Sequence, residues 1–147
     1  MAGDAAVRRK ERLMACWLVK SEPATWSWQQ HMEVGIAPWD GVRNHEAARN
    51  LKAMQTGDRA FFYHSGGECR IMGVMEVSRP CYPDPSDRSG RFGMVDFKAL
   101  YPLSRPVTLA DIKADARLSH TALVRQSRLS VMPIDHDAWR IVCAAGG

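Results

Sequence analysis

CWLVKSEPATWSWQQHMEVG, residues 16–35, crosses from one kind of secondary structure to the other in a single short stretch. Residues 16–20 are apolar up to the closing lysine and read as a buried strand. Pro23 turns the chain, Ser27 offers an N-cap oxygen to the helix that follows, and Gly35 stops that helix. The same irregular exchange recurs outward. APWDGVRN (37–44) reads as irregular. Asn44 then caps a second helix with a buried face of Ala47, Ala48, Leu51 and Met54, ended by Gly57-Asp58. RAFFYHS (59–65) and CRIMGVMEVSR (69–79) are rich in aromatic and β-branched residues and predict a hairpin through Gly66-Gly67. Residues 79–91 hold three prolines and predict a loop. FGMVDFKALY (92–101) alternates, with Val95, Phe97, Ala99 and Tyr101 on one face and Asp96 and Lys98 on the other. Thr108 with Asp111 forms a capping box. RLSVMP (128–133) is a short strand stopped by Pro133, and Asp135 caps a last helix that carries Trp139, Ile141 and Val142 to Gly146. Strands and helices do not alternate regularly, so the pattern predicts an α+β fold, a small and partly closed barrel with flanking helices, rather than a doubly wound sheet.

The chain has 147 residues, 46% of them apolar and 24% charged, which fits one globular domain with an ordinary core. No run reaches the roughly 20 apolar residues of a membrane span, so no membrane partner is expected. The four cysteines are scattered without a CxxC pair and read as reduced thiols of a cytoplasmic protein. Residues 1–14 set Arg8, Arg9, Lys10 and Arg12 against Asp4 and Glu11 and show no apolar period. They are expected to be a disordered basic tail that carries half of the chain's net charge of +4. The remaining body is too weakly basic for the clustered footprint of a strong DNA binder.

The five histidines show no HExxH or HxxxH spacing, so no metal is expected. No GxSxG elbow is present, Gly66-Gly67 is too short for a phosphate loop, and no cofactor or catalytic residue is assigned. Three features stand apart from a plain core. Trp39 sits in a polar stretch after Pro38, where its ring either stacks on a flat base or plugs the end of the barrel. Lys20, Ser21 and Glu22 follow a buried strand directly; they either converge on a ligand at a barrel mouth or form a solvated turn. Arg43 and Asn44 stand at a helix start, where they either bind an anion or serve as a surface ion pair and a cap.

The blocks CWLVKSEP, WDGVRNHEAARN, GDRAFFYHS, VMEVSRPCYPDP, PVTLADIKAD and RLSVMP resemble, in that order, the signature blocks of the EVE domain, a member of the PUA-like superfamily. The resemblance spans nearly the whole chain, so residues 15–147 are expected to form the domain. It implies a PUA-like curved mixed barrel in which a pocket beside the sheet receives one nucleobase, often flipped and often modified. The implied reading is a non-catalytic, monomeric module that binds DNA carrying 5-methyl- or 5-hydroxymethylcytosine, or RNA. Carried over by motif, the pocket takes Lys20, Ser21, Glu22, Trp39, Arg43, Asn44, Tyr63, His64, Ser65 and Ser130. Trp39 and Tyr63 are assigned as stacking walls, Ser21, Asn44 and Ser130 as readers of the base edge, and Lys20 and Arg43 as phosphate contacts. Two alternatives remain: an enzyme acting on a modified nucleobase or nucleotide through Glu22 or His64, and a small-metabolite module on the same fold.

Overall fold

The computed structural model describes residues 14–147, so all but the last residue of the basic segment 1–14 lies outside the described part. The strands are β1 (Cys16–Ser21), β2 (Ile36–Trp39), β3 (Arg59–His64), β4 (Arg70–Pro83), β5 (Gly93–Thr108) and β6 (Val131–Ile134). The helices are α1 (Trp28–Val34), α2 (His45–Ala53), α3 (Leu109–Ala114), α4 (Ala122–Arg125) and α5 (His136–Ala145), with a 3₁₀ turn at Ala116–Leu118.

The strands form one mixed sheet in the order β2-β5-β4-β3-β1-β6. β1 and β3 run parallel, with Cys16 opposite Arg59 and Ser21 opposite His64. The other pairs are antiparallel. The sheet does not close, because β2 and β6 remain its two edges. The β4–β5 ribbon changes register repeatedly along its length, and such bulges bend and twist a sheet. This is the expected α+β architecture.

The helix caps follow their local sequence. Ser27 and Gln30 cap α1 reciprocally, and Asn44 accepts the Ala47 amide at 2.9 Å. Thr108 with Asp111 caps α3, and Asp135 caps α5. Side chains alternate along each strand. Leu18 and Ile71 pack with Ile112, Leu118, Leu123, Ala138 and Val142 under α3–α5, while Phe61 stacks on Trp139. Phe62 and Phe97 take the opposite face with Trp28 and Trp39. Gly73 belongs to that packing, since a Cβ there would lie 2.3 Å from the Trp28 ring.

Three expectations are corrected. Residues 36–39 are a strand: Pro38 sits opposite Asp96 on edge strand β2, where a missing amide is tolerated. Residues 79–83 also belong to a strand, the end of β4, and the loop begins only after Pro83. β6 runs through Pro133 to Ile134 instead of stopping there. No helix among the described residues is long and apolar enough to cross a membrane, and all four cysteines are free thiols.

Candidate functional site

The carboxyl ends of the parallel pair β1–β3 open into two neighbouring cavities. One, of about 520 Å³, lies between the end of β1, the turn before α1 and strand β2. Ser21, Thr25, Trp26, Pro38, Trp39 and Asp40 line it. The other, of about 540 Å³, lies between the end of β3 and the segment before β6, with Tyr63, Ser65, Cys69, Ser127, Arg128 and Ser130 among its lining. Lys20 and Glu22 border both cavities and form the ridge between them. Both volumes fall in the roughly 300–1,000 Å³ range of small-molecule pockets.

The walls of the first cavity are fixed by the core. Trp39 is only 8% exposed. Its ring meets Phe62 at 5.3 Å and 87° and Phe97 at 5.6 Å and 90°, both edge-to-face. It therefore fits both readings of the sequence, as a core ring and as a cavity wall. Trp26 is half-buried, and its Nε1–H donates to His31 Nδ1 at 3.0 Å. His31 in turn donates from Nε2 to the Phe97 carbonyl at 2.9 Å. One ring nitrogen accepts and the other donates, so His31 is neutral in this arrangement. Burial lowers its pKa, against the opposing pull of the Phe97 carbonyl. His31 is thus a buried post behind both tryptophans.

The polar rim is partly committed. Ser21 Oγ donates to the Trp26 carbonyl at 2.6 Å, which leaves its oxygen free to accept. The Ser21 carbonyl accepts the Ser65 amide at 2.9 Å and ties the ends of β1 and β3 together. Lys20 Nζ donates to the Ser127 carbonyl at 3.0 Å and lies 5.5 Å from the centre of the Tyr63 ring. Desolvation lowers the Lys20 pKa, with a smaller opposing effect of Cys69. Burial also raises the pKa of the Tyr63 hydroxyl, reinforced by a hydrogen bond with Cys69. Glu22 is exposed on the ridge.

Of the ten residues assigned from sequence, Lys20, Ser21, Glu22 and Trp39 line the first cavity, and Tyr63, Ser65 and Ser130 line the second with Lys20 and Glu22. Arg43, Asn44 and His64 line neither. Arg43 pairs with the buried Asp84 at 3.3 Å and donates to Ser86 Oγ at 2.9 Å. Asn44 is spent on its cap. His64 accepts the Trp28 amide on Nε2 at 3.0 Å and meets Glu68 through Nδ1 at 3.1 Å, so both ring nitrogens are engaged inside the protein. Sequence reasoning missed Trp26 and Arg128. A tryptophan directly before an N-cap signals the first, since Trp28 is the ring that turns inward (3% exposed). The second stands two residues before Ser130.

Lys20, Ser21, Glu22, Trp39 and Asp40 of the first cavity lie in the blocks that the resemblance rests on, while Thr25, Trp26 and Pro38 lie between those blocks. The EVE domain model matches residues 15–145. The chain belongs to the EVE domain family. Human thymocyte nuclear protein 1 is 29% identical over 171 residues, covering 90% of this chain and 74% of that protein. A Rhodopseudomonas palustris protein with an NMR structure is 51% identical with a TM-score of 0.87, over 91% of this chain and 94% of that one. The crystal structure of human THYN1 in complex with DNA containing 5-methylcytosine is 28% identical with a TM-score of 0.84, over 90% of this chain and 97% of that one. In this EVE domain the ridge of Lys20 and Glu22 puts one cation and one carboxylate between an aromatic cavity and a polar one.

Proposed function

We propose that this EVE domain is a non-catalytic reader of a modified nucleobase, with a cytosine carrying a 5-methyl or 5-hydroxymethyl group as the favoured target and DNA favoured over RNA. The observation that carries the proposal is the cavity between Trp26 and Trp39 at the mouth of β1. A flat base inserted there gains aromatic contact worth about 1–3 kcal/mol. The acceptors needed for an exocyclic amine are at the rim, namely Ser21 Oγ and the Glu22 carboxylate. Lys20 and Arg128 are the cations available to the backbone, and the cleft holding Tyr63 and Ser130 suits a flanking nucleotide. Arg43 and Asn44 act as supports of the outer wall. The crystal structure of the human relative with 5-methylcytosine DNA supports the same class of ligand. One chain supplies both cavities, which fits a monomer, and the free thiols fit a cytoplasmic setting.

Binding is favoured over turnover because His64, one of the two acid–base candidates, is packed against Trp28 and Glu68. The test is tryptophan fluorescence with short single-stranded oligonucleotides, DNA and RNA, carrying one central cytosine, 5-methylcytosine or 5-hydroxymethylcytosine. Single strands avoid the flipping cost of a few kcal/mol. The expected result is a modification-dependent quench that is lost in Trp26→Ala. Binding that ignores the modification and fades with salt reports phosphate contact alone and overturns the proposal.

A further inference from the structure

The opposite end of the same strand pair holds a third cavity, of about 350 Å³. Cys16 and Arg59 stand side by side at the amino ends of β1 and β3, and Ser21 lies five positions further along β1, roughly 16 Å away. The cavity is therefore separate from the two described above. One wall is Trp139, held flat on Phe61 with ring centres 3.8 Å apart and planes at 18°. The thiols of Cys16 and Cys143 add an apolar lining. Burial pushes Cys16 up to about 11 and raises Cys143 as well, so both thiols stay protonated near neutral pH.

The polar part of the lining is cationic. Arg59 and Arg140 both border the cavity. Among the described residues, the buried Nε of Arg59 has no hydrogen-bond partner. The adjacent Asp58 does not supply one, because its carboxylate accepts from the Ala15 amide, the Trp17 indole and the Gln55 amide. Among the described residues, the ion-pair partner of Arg140 is the exposed Asp137, at 3.6 Å. His136 is turned to the Met14 carbonyl. Two guanidinium groups with unspent donors thus share a small cavity with a fixed aromatic wall.

We propose that this cavity is a second ligand site, for a small organic anion whose planar apolar body lies against Trp139 and whose carboxylate or phosphate is held by Arg59 and Arg140. Guanidinium suits either head group because its planar fork matches two oxygens at once.

The test is a two-dimensional NMR titration of the full chain, following the tryptophan indole N–H signals, with the Trp139 signal assigned through Trp139→Phe. The probes are phenyl phosphate, benzoate and inorganic phosphate. The expected result is a saturable shift of the Trp139 signal with phenyl phosphate or benzoate, the stronger of the two naming the head group, while the Trp26 and Trp39 signals stay in place. Arg140→Ala, a change at an exposed position, should weaken binding about tenfold, the loss of one charge-assisted hydrogen bond. Arg59→Lys should weaken it too while the rest of the spectrum stays native. No shift at millimolar probe overturns the proposal. Inorganic phosphate binding as tightly as phenyl phosphate overturns the planar-body part. Neither outcome touches the oligonucleotide reading, which depends on the other end of the strands.

Discussion

Replacing Asp84 with Asn tests whether the outer wall of the tryptophan cavity is held by a buried charge. The Asp84 side chain is 0% exposed. It accepts the Gly41 amide at 2.8 Å, the Ser86 amide at 2.8 Å and Ser86 Oγ at 2.6 Å, and pairs with Arg43 at 3.3 Å. Burial by itself raises the pKa of this carboxyl, but the donors of Ser86, Gly41 and Arg43 outweigh it and hold the group at about 2, against 3.8 for a free side chain. At about 1.4 kcal/mol per pH unit, the ionised carboxylate contributes about 2 kcal/mol of stability at neutral pH. The native value is the lower one, so the unfolded chain binds the extra proton first as pH falls. The contribution is whole above about pH 4, roughly half remains at pH 3 and little at pH 2. An Asn amide also turns one donor toward a neighbouring N–H, which adds a cost that does not depend on pH. Urea melts of wild type and Asp84→Asn at pH 7 and pH 3 separate the two effects. The wild type's advantage should shrink by about 1 kcal/mol between those pH values. An advantage that is the same at both refutes the assignment of a buried, depressed carboxylate.

The other predictions concern the post, the packing and the cations. His31 is neutral with both nitrogens used, and its native pKa lies below its ordinary value, so stability should fall as pH drops below about 6.5. Trp26 fluorescence and oligonucleotide affinity should fall together, and a His31→Gln variant should lose that pH dependence. Gly73→Ala drives a Cβ to 2.3 Å from the Trp28 ring. Such overpacking should cost about 1–3 kcal/mol, read as a lower Tm by circular dichroism. Asn44→Ala removes the bond to the Ala47 amide. It should cost about 1 kcal/mol of stability without changing discrimination between cytosine and its modified forms, as measured by denaturant melts and titration. Arg128→Ala should reduce the salt slope of oligonucleotide binding by about one while leaving that discrimination intact.

What the sequence disclosed was mostly local in origin. A cap is a hydrogen bond across three residues, so Ser27, Asn44, Thr108 and Asp135 announced their helices. Proline misled because its cost depends on where a strand lies in the sheet. Pro38 is on an edge strand, and Pro80 lies past Glu76, where the β3 ladder ends and one side of β4 is free. Of the candidate site, the ends of β1 and β3 were legible because polar residues follow apolar runs there. The true partners of Arg43 and His64 were not. Asp84 is 41 residues from Arg43, and the Trp28 amide is 36 residues from His64, so no local pattern carries either contact. Trp26 was hidden for a related reason. A ring beside an N-cap turns inward or outward according to a partner, here His31, whose role depends on the Phe97 carbonyl supplied by a distant strand.

The place of Trp39, in the core and on the cavity wall, bears on how the proposed binding preference can diverge. Its ring is wedged edge-on between Phe62 and Phe97. Truncating such a ring costs about 3–5 kcal/mol, a large share of a domain's whole stability. The exposed positions Glu22, Thr25 and Asp40 on the same rim can change within about 0.5 kcal/mol. New preferences among descendants of this chain should therefore arise by swapping rim side chains around an inherited aromatic slot. Swapping Glu22, Thr25 and Asp40 together for the matching residues of a relative with another preference should transfer that preference without moving either tryptophan.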